Sequence, residues 1–334
     1  MKKIVKLWGI FLVVSLLFCG CTESKEVSLQ EHSAENEKEE GIVQIGLSVD
    51  SFVIERWIRD RDMFVSRAKE LGAEVNVQDA RGDAQEQINQ IEYFIKKQMD
   101  VIVVIARDCN KLADVMLKAR DAGIATVSYD RLIQNADCDL YISFDSRKVG
   151  ELMAEALIEA IPNGGDVFMI QGSAEDNNVD LASEGFHEKI KGSGLEVAYK
   201  SNCQGWLAEQ AVEYVEEGLA KYPDVKGIMC GNDDIASQVI QTLAENRKAG
   251  EVIVVGQDGD LAACQRIVEG TQYMTAFKSI EELAKQAAEY AVRLGNGEEL
   301  EEIRKSVNDG SYDVPCVVLE PVAVTEKNMD EIII

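Results

Sequence analysis

From Ile42 onward, short apolar runs alternate with longer stretches in which apolar positions recur every three or four residues. The runs Ile42–Leu47, Glu74–Val77, Met99–Ala106 and Ile124–Ser128 read as strands. Met99–Ala106 is apolar but for Asp100, the mark of a parallel strand covered on both faces. A helix from about Glu55 to Leu71 stops at Gly72, which takes the left-handed C-terminal conformation cheaply. Asp83, with Glu86 three residues on, caps another, and a third ends at Gly123. The rhythm then repeats, with strands near Val167–Ile170, Glu196–Tyr199, Gly227–Cys230, Val252–Val255 and Tyr273–Ala276 and helices between. Ser279 and Glu282 have the spacing of a capping box ahead of an amphipathic helix that stops at Gly295, and Val314–Leu319 has strand composition. Strand and helix at a spacing of about thirty residues predict βαβ units and parallel sheets. The strands are too many for one modest sheet. The fold class is therefore α/β, with two doubly wound parallel-sheet lobes.

The first forty residues break this pattern. Lys2, Lys3 and Lys6 precede an apolar run, Leu7–Phe18, that is short for a membrane span and suits a signal peptide over residues 1–20. The run closes on Phe18-Cys19-Gly20-Cys21, where small residues before a cysteine resemble a bacterial lipobox. Cleavage there would leave Cys21 as the lipidation site; an ordinary secretory signal with a spare cysteine is the other reading. Residues 21–41 then form a lipidated cysteine and an acidic tether, rich in Glu, Ser and Lys and too poor in apolar residues to fold.

Charge narrows the function. The 334 residues hold 34 Lys and Arg against 60 Asp and Glu, a net charge of -26 that repels nucleic acid. Six cysteines remain beyond the N-terminal pair, widely spaced and without a CxxC, so no metal cluster is expected. His32 and His187 are the two histidines, and no nucleophile elbow, Walker loop or GxGxxG turn follows the first strand. Asp130 and Asp258 could supply a glycosidase carboxylate pair. Arg131 and Lys278 beside them are expected to hold both ionised, which suits binding rather than proton donation. The chain reads as a binding protein, not an enzyme, and needs no cofactor.

In open α/β sheets ligands sit beyond the carboxyl ends of strands. There lie Asp50 with Arg56 and Trp57, then Asp130 and Arg131, Asn178, Trp206, Asn232, Asp258 and Lys278. Carboxylates accept, Arg and Lys donate, Asn does both, and indole faces pack on sugar C–H groups. Acidic and basic residues alternate, so a nearly neutral site for an uncharged polyol is expected. Each residue alone reads more plainly: an Asp as a helix N-cap, an Asn as a turn residue, a Trp as core, Arg56 or Lys278 as surface. Recurrence at strand after strand favours the sugar site.

The segments IERWIRDRDMF, YDRLIQNADCDLYISFDSRKVGELMA, DNN, GWLAE, GNDDIA, GQDGDLAACQRIVEGTQYMTAFK and RLGNG resemble the bacterial D-xylose-binding proteins of the type I periplasmic sugar-binding family, over nearly the whole chain from Val43. The resemblance implies sugar contacts from Arg56, Asp130, Arg131, Asn178, Trp206, Asn232, Asp258 and Lys278, with Trp57 as an aromatic partner. It implies three hinge crossings, near Asp145, Lys278 and Asn308–Gly310, and hence an N-terminal lobe of 42–145 plus 279–309 and a C-terminal lobe of 146–278 plus 310–334. Delivery of D-xylose to an ABC permease at the extracytoplasmic face is the expected role. The alternative is a subunit that reports sugar occupancy to a membrane histidine kinase or chemoreceptor. Phe52-Val53, Arg107-Asp108-Cys109 and Ser173-Ala174-Glu175 depart from the family pattern at the cleft edge.

Overall fold

The computed structural model describes residues 41–332. The signal segment, Cys21 and most of the tether lie outside the described residues. Among the described residues, no helix is long and apolar enough to cross a membrane.

The chain opens with β1 (Gln44–Val49), α1 (Arg56–Glu70), β2 (Glu74–Asp79), α2 (Ala84–Lys96), β3 (Val101–Ile105), α3 (Ala113–Asp121), β4 (Ala125–Tyr129) and β5 (Leu140–Phe144). It continues through α4 (Ser146–Ala160), β6 (Gly165–Gln171), α5 (Asn177–Lys189), β7 (Leu195–Asn202), α6 (Gln210–Lys221), β8 (Gly227–Cys230), α7 (Asp233–Glu245), β9 (Ile253–Asp258), α8 (Leu261–Val268) and β10 (Met274–Phe277). It closes with α9 (Ile280–Gly295), β11 (Ser306–Asn308), β12 (Asp313–Leu319), β13 (Val322–Val324) and α10 (Met329–Ile332). These form a seven-stranded sheet of order β11-β12-β5-β4-β3-β1-β2 and a six-stranded sheet of order β13-β10-β9-β8-β6-β7. All pairings are parallel except those of β11 with β12 and β13 with β10. Each sheet has helices on both faces, so β3 and β8 are buried along their whole length. The fold is two doubly wound lobes.

The chain passes between the sheets three times: at Asp145 between β5 and α4, at Lys278–Ser279 between β10 and α9, and at Glu320–Pro321 between β12 and β13. The third corrects the expected crossing at Asn308–Gly310 and the boundary drawn there. Strand β12 pairs with β5, Cys316 opposite Tyr141 through Leu319 opposite Phe144, so residues 310–319 belong to the first lobe. Buried Asp309 is a buttress: its Oδ2 accepts the backbone N–H groups of Ala136 and Asp137 at 2.8 and 2.9 Å.

Two local expectations change. The Ser279 side chain makes no capping hydrogen bond to α9. Strand β5 was not foreseen, because β4 reaches it through a helix-free connection, residues 130–139, and the βαβ rhythm left no slot for a strand there. Asp83 does cap α2, accepting from Gln85 N and Glu86 N. The six cysteines of the described chain are buried free thiols, packed as small apolar side chains.

Candidate functional site

The carboxyl ends of both sheets face one cavity between the lobes. Arg56, Trp57, Asp130, Arg131, Asn178, Trp206, Asn232, Asp258 and Lys278 all line it. Every predicted site residue of the folded body is thus brought together, and all but the half-buried Asn178 are buried.

Arg56 opens α1, which places its guanidinium at the top of the first sheet. Its Nη2 donates to Asp130 Oδ2 at 2.8 Å and its Nε to Asp60 Oδ2, one turn further along α1, at 3.2 Å. Its Nη1 lies 3.5 Å from Asp258 Oδ1 of the second lobe. Asp130 follows β4 at φ 63°, in the left-handed region. Its carbonyl accepts from Ser143 Oγ at 2.6 Å and from Asn178 Nδ2, across the cleft, at 2.9 Å. The resulting turn aims the carboxylate inward. Its partner is Arg56, which corrects the expected pairing with Arg131.

Arg131 points the other way along the cleft. Its Nη1 donates to Asp50 Oδ2 and to Ala106 O, both at 2.7 Å, and its Nε sits 2.7 Å from Asp176 Oδ2 of the second lobe. The guanidinium lies 5.3 Å from the centre of the Trp57 ring and 6.0 Å from that of Trp206. Trp57 also packs against Arg56, 4.3 Å from its ring centre. Trp206, at φ 62°, rests on Gly172, where a side chain would run into the indole.

In the second lobe Asn232 caps α7, its Oδ1 accepting from Ile235 N at 2.9 Å, and it keeps its Nδ2 free of protein partners. Cap and cavity residue are one. Asp258 ends β9 at φ 105°, 2.6 Å from Lys278 Nζ. Burial pushes its carboxyl up, but Lys278 and Arg56 outweigh that and hold it below the ordinary range. Asp258 is thus kept ionised as an acceptor. Asp60 and Asp176 move the other way: burial raises both, against Arg56 and Arg131 respectively. Three cavity residues, Asp130, Trp206 and Asp258, hold the backbone region that side chains disfavour, a pattern of strained, pre-organised sites.

The formal charges of the cavity balance. Among the residues that line the cavity, Arg56, Arg131 and Lys278 face Asp130, Asp176 and Asp258, three of each sign, in keeping with the expected near-neutral site. Each cation is already paired with a carboxylate, which leaves no free positive charge for a phosphate or carboxylate ligand. Among the buried polar atoms, Trp57 Nε1, Arg131 Nη2, Asn178 Oδ1, Trp206 Nε1, Asn232 Nδ2 and both amide atoms of Gln171 have no protein partner. Donors, acceptors and indole rings therefore face the cavity together.

Sequence reasoning missed Gln171, Gln257 and Ser146, all of which line the cavity. Gln171 carried a signal: it ends the otherwise apolar core of β6, at the carboxyl end of a strand, where ligands of such sheets sit. Asp60 carried one too, four residues beyond Arg56 on a helix.

Two α/β lobes, three crossings and a polar cavity built from both halves define a clamshell binding protein. Residues 45–299 match the family described as a periplasmic binding protein domain, and the chain belongs to that family, with its type I sugar-binding fold. It is 42% identical over 297 residues to the D-xylose-binding periplasmic protein of Haemophilus influenzae, covering 87% of this chain and 89% of the relative. It is 39% identical over 327 residues to the D-xylose-binding periplasmic protein of Escherichia coli, 96% of each. Among solved structures, an ABC transporter solute binding protein from Clostridium phytofermentans with bound β-D-glucose superimposes with a TM-score of 0.80 at 28% identity, over 87% of this chain and 96% of that one. These relatives are substrate-binding proteins and not enzymes, and the chain is of the same kind.

Proposed function

We propose that this protein is an extracytoplasmic, lipid-anchored binding protein that closes its lobes on a neutral monosaccharide, D-xylose first, and delivers it to an ABC permease. One observation carries the reading. Hydrogen-bonding groups from both lobes, several without protein partners, surround one cavity whose formal charges balance, which suits an uncharged ligand. A pyranose offers hydroxyls that donate and accept, and C–H faces for Trp206. Similarity to two D-xylose-binding proteins supports xylose as the ligand. Relatives named as import or ABC transporter binding proteins support delivery over sensing. The contacts fall to the nine residues named, with the lobes turning about Asp145, Lys278–Ser279 and Glu320–Pro321. Cys21 would carry the lipid that holds the protein at the membrane.

Calorimetry of the purified protein against xylose, ribose, arabinose, glucose and galactose tests the ligand. Saturable xylose binding is the expected result, and no binding to any monosaccharide would sink the reading. Deleting the gene tests the role: lost xylose uptake supports delivery, and lost induction with uptake intact supports a sensor instead.

A further inference from the structure

The polar contacts already described lie mostly around Arg56, Arg131 and Lys278. One buried polar group stands apart from them. Gln171 is 1% exposed, lines the cavity, and has neither Oε1 nor Nε2 paired within the protein. Side chains alternate across a strand, so Gln171 projects from the same face of β6 as Val167 and Met169. That face packs on α4 and α5, in a cluster that includes Ala182 and Met229. Both of those residues also line the cavity, with Phe144 and Val179. The cavity therefore has apolar residues beside an unpaired carboxamide; Gln257, the other glutamine of the lining, already donates to Gly231 O. A buried amide with both ends unpaired is costly, and a strand end facing the ligand is an expensive place to keep one.

We infer that Gln171, with the apolar side chains of Val179, Ala182 and Met229, forms a subsite for a hydroxyl-bearing one-carbon arm, the exocyclic hydroxymethyl of an aldohexopyranose. The methylene packs on these apolar side chains. The carboxamide Oε1 accepts from the arm's hydroxyl. A pentopyranose has no such arm and leaves the amide to water. The protein then takes glucose as well as xylose, and Gln171 sets the balance between them. This rests on the monosaccharide reading above and narrows it.

The test is calorimetry of the full-length protein and of Gln171→Leu with D-xylose, D-glucose and 6-deoxy-D-glucose. Glucose affinity should fall about tenfold or more in the variant, with xylose affinity changed less than about threefold. 6-Deoxyglucose should bind both proteins alike. Ligand-free melting of the variant should be unchanged or higher, because leucine removes an unpaired polar group. Equal losses for xylose and glucose, or no loss for either, would overturn the inference, as would xylose binding without glucose binding in the unaltered protein. If the unaltered protein binds no sugar at all, the underlying functional reading fails instead. Gln171→Asn separates reach from chemistry: a shorter amide should recover little of the glucose affinity.

Discussion

Arg56 sits at the meeting point of three carboxylates from two lobes, and Asp258 is the one that comes from across the cleft. Asp258→Ala strips Lys278 of its 2.6 Å partner and takes one counter-charge from Arg56. It also removes a charged acceptor from the proposed sugar site, and a hydrogen bond to a charged group is worth about 1.5–3 kcal/mol. Xylose affinity should therefore fall at least about tenfold by calorimetry. Trp206→Ala removes an indole face and a free N–H and should abolish measurable binding; unchanged affinity in both variants would remove the site assignment. Two neighbouring carboxyls give a pH dependence. Burial, Asp258 and Asp260 push Asp233 up to about 7. Burial and Asp258 push Asp260 up to about 7, against the opposing Arg59. An unfolded aspartate titrates near ~3.9. Between these values the folded protein holds more protons than the unfolded chain, so stability is greatest toward the acid side of that window and falls as pH rises through 7. The melting temperature should be higher at pH 5.5 than at pH 8, and Asp260→Asn should flatten the difference. A melting temperature that rises with pH would contradict the direction.

At the scale of elements, the second lobe depends on a close helix pair. A side chain on Gly150 of α4 would strike the Ala182 carbonyl of α5, and one on Gly185 of α5 would strike the Arg147 carbonyl of α4. Gly150→Ala must push the helices apart, and such overpacking costs about 1–3 kcal/mol. A drop in melting temperature of roughly 3–10 °C is expected by calorimetry. The shift matters for function because α4 follows the Asp145 crossing and α5 begins at Asn177, beside the cavity. Most strands and helices were legible as periodicity in the sequence. Strand β5 was not, because its link to β4 has no helix to announce it. Its neighbour β12 returns from the far end of the chain and pairs along Tyr141–Phe144, a register that no local pattern contains.

Across the whole molecule, the two lobes touch through side chains as well as crossings. Arg107 Nη1 reaches Glu175 at 3.5 Å, Arg59 meets Asp260, and Asn177 Oδ1 accepts from Leu132 N at 3.0 Å. These contacts join the rims of the cleft, so closure should be visible in solution. Small-angle scattering should show a smaller radius of gyration on adding xylose, and Asp258→Ala should show no change. Glu175→Gln, at a partly exposed pair, should raise the dissociation constant by at most about fivefold; a larger loss would mean that this contact governs closure.

The sequence by itself determined the α/β class, the repetition of the lobe, and which polar residues end the strands. Those properties are written in spacing, and spacing is local. Partnership was decided by tertiary packing. Arg56 and Asp130 are 74 positions apart, and Ala136 and Asp309 are 173 apart. Whether Asp130 faces Arg56 or Arg131, where the third crossing falls, and which face of β6 presents Gln171 to the cavity all depend on how distant segments stack, because a side chain's partners are set by the surfaces that burial brings together.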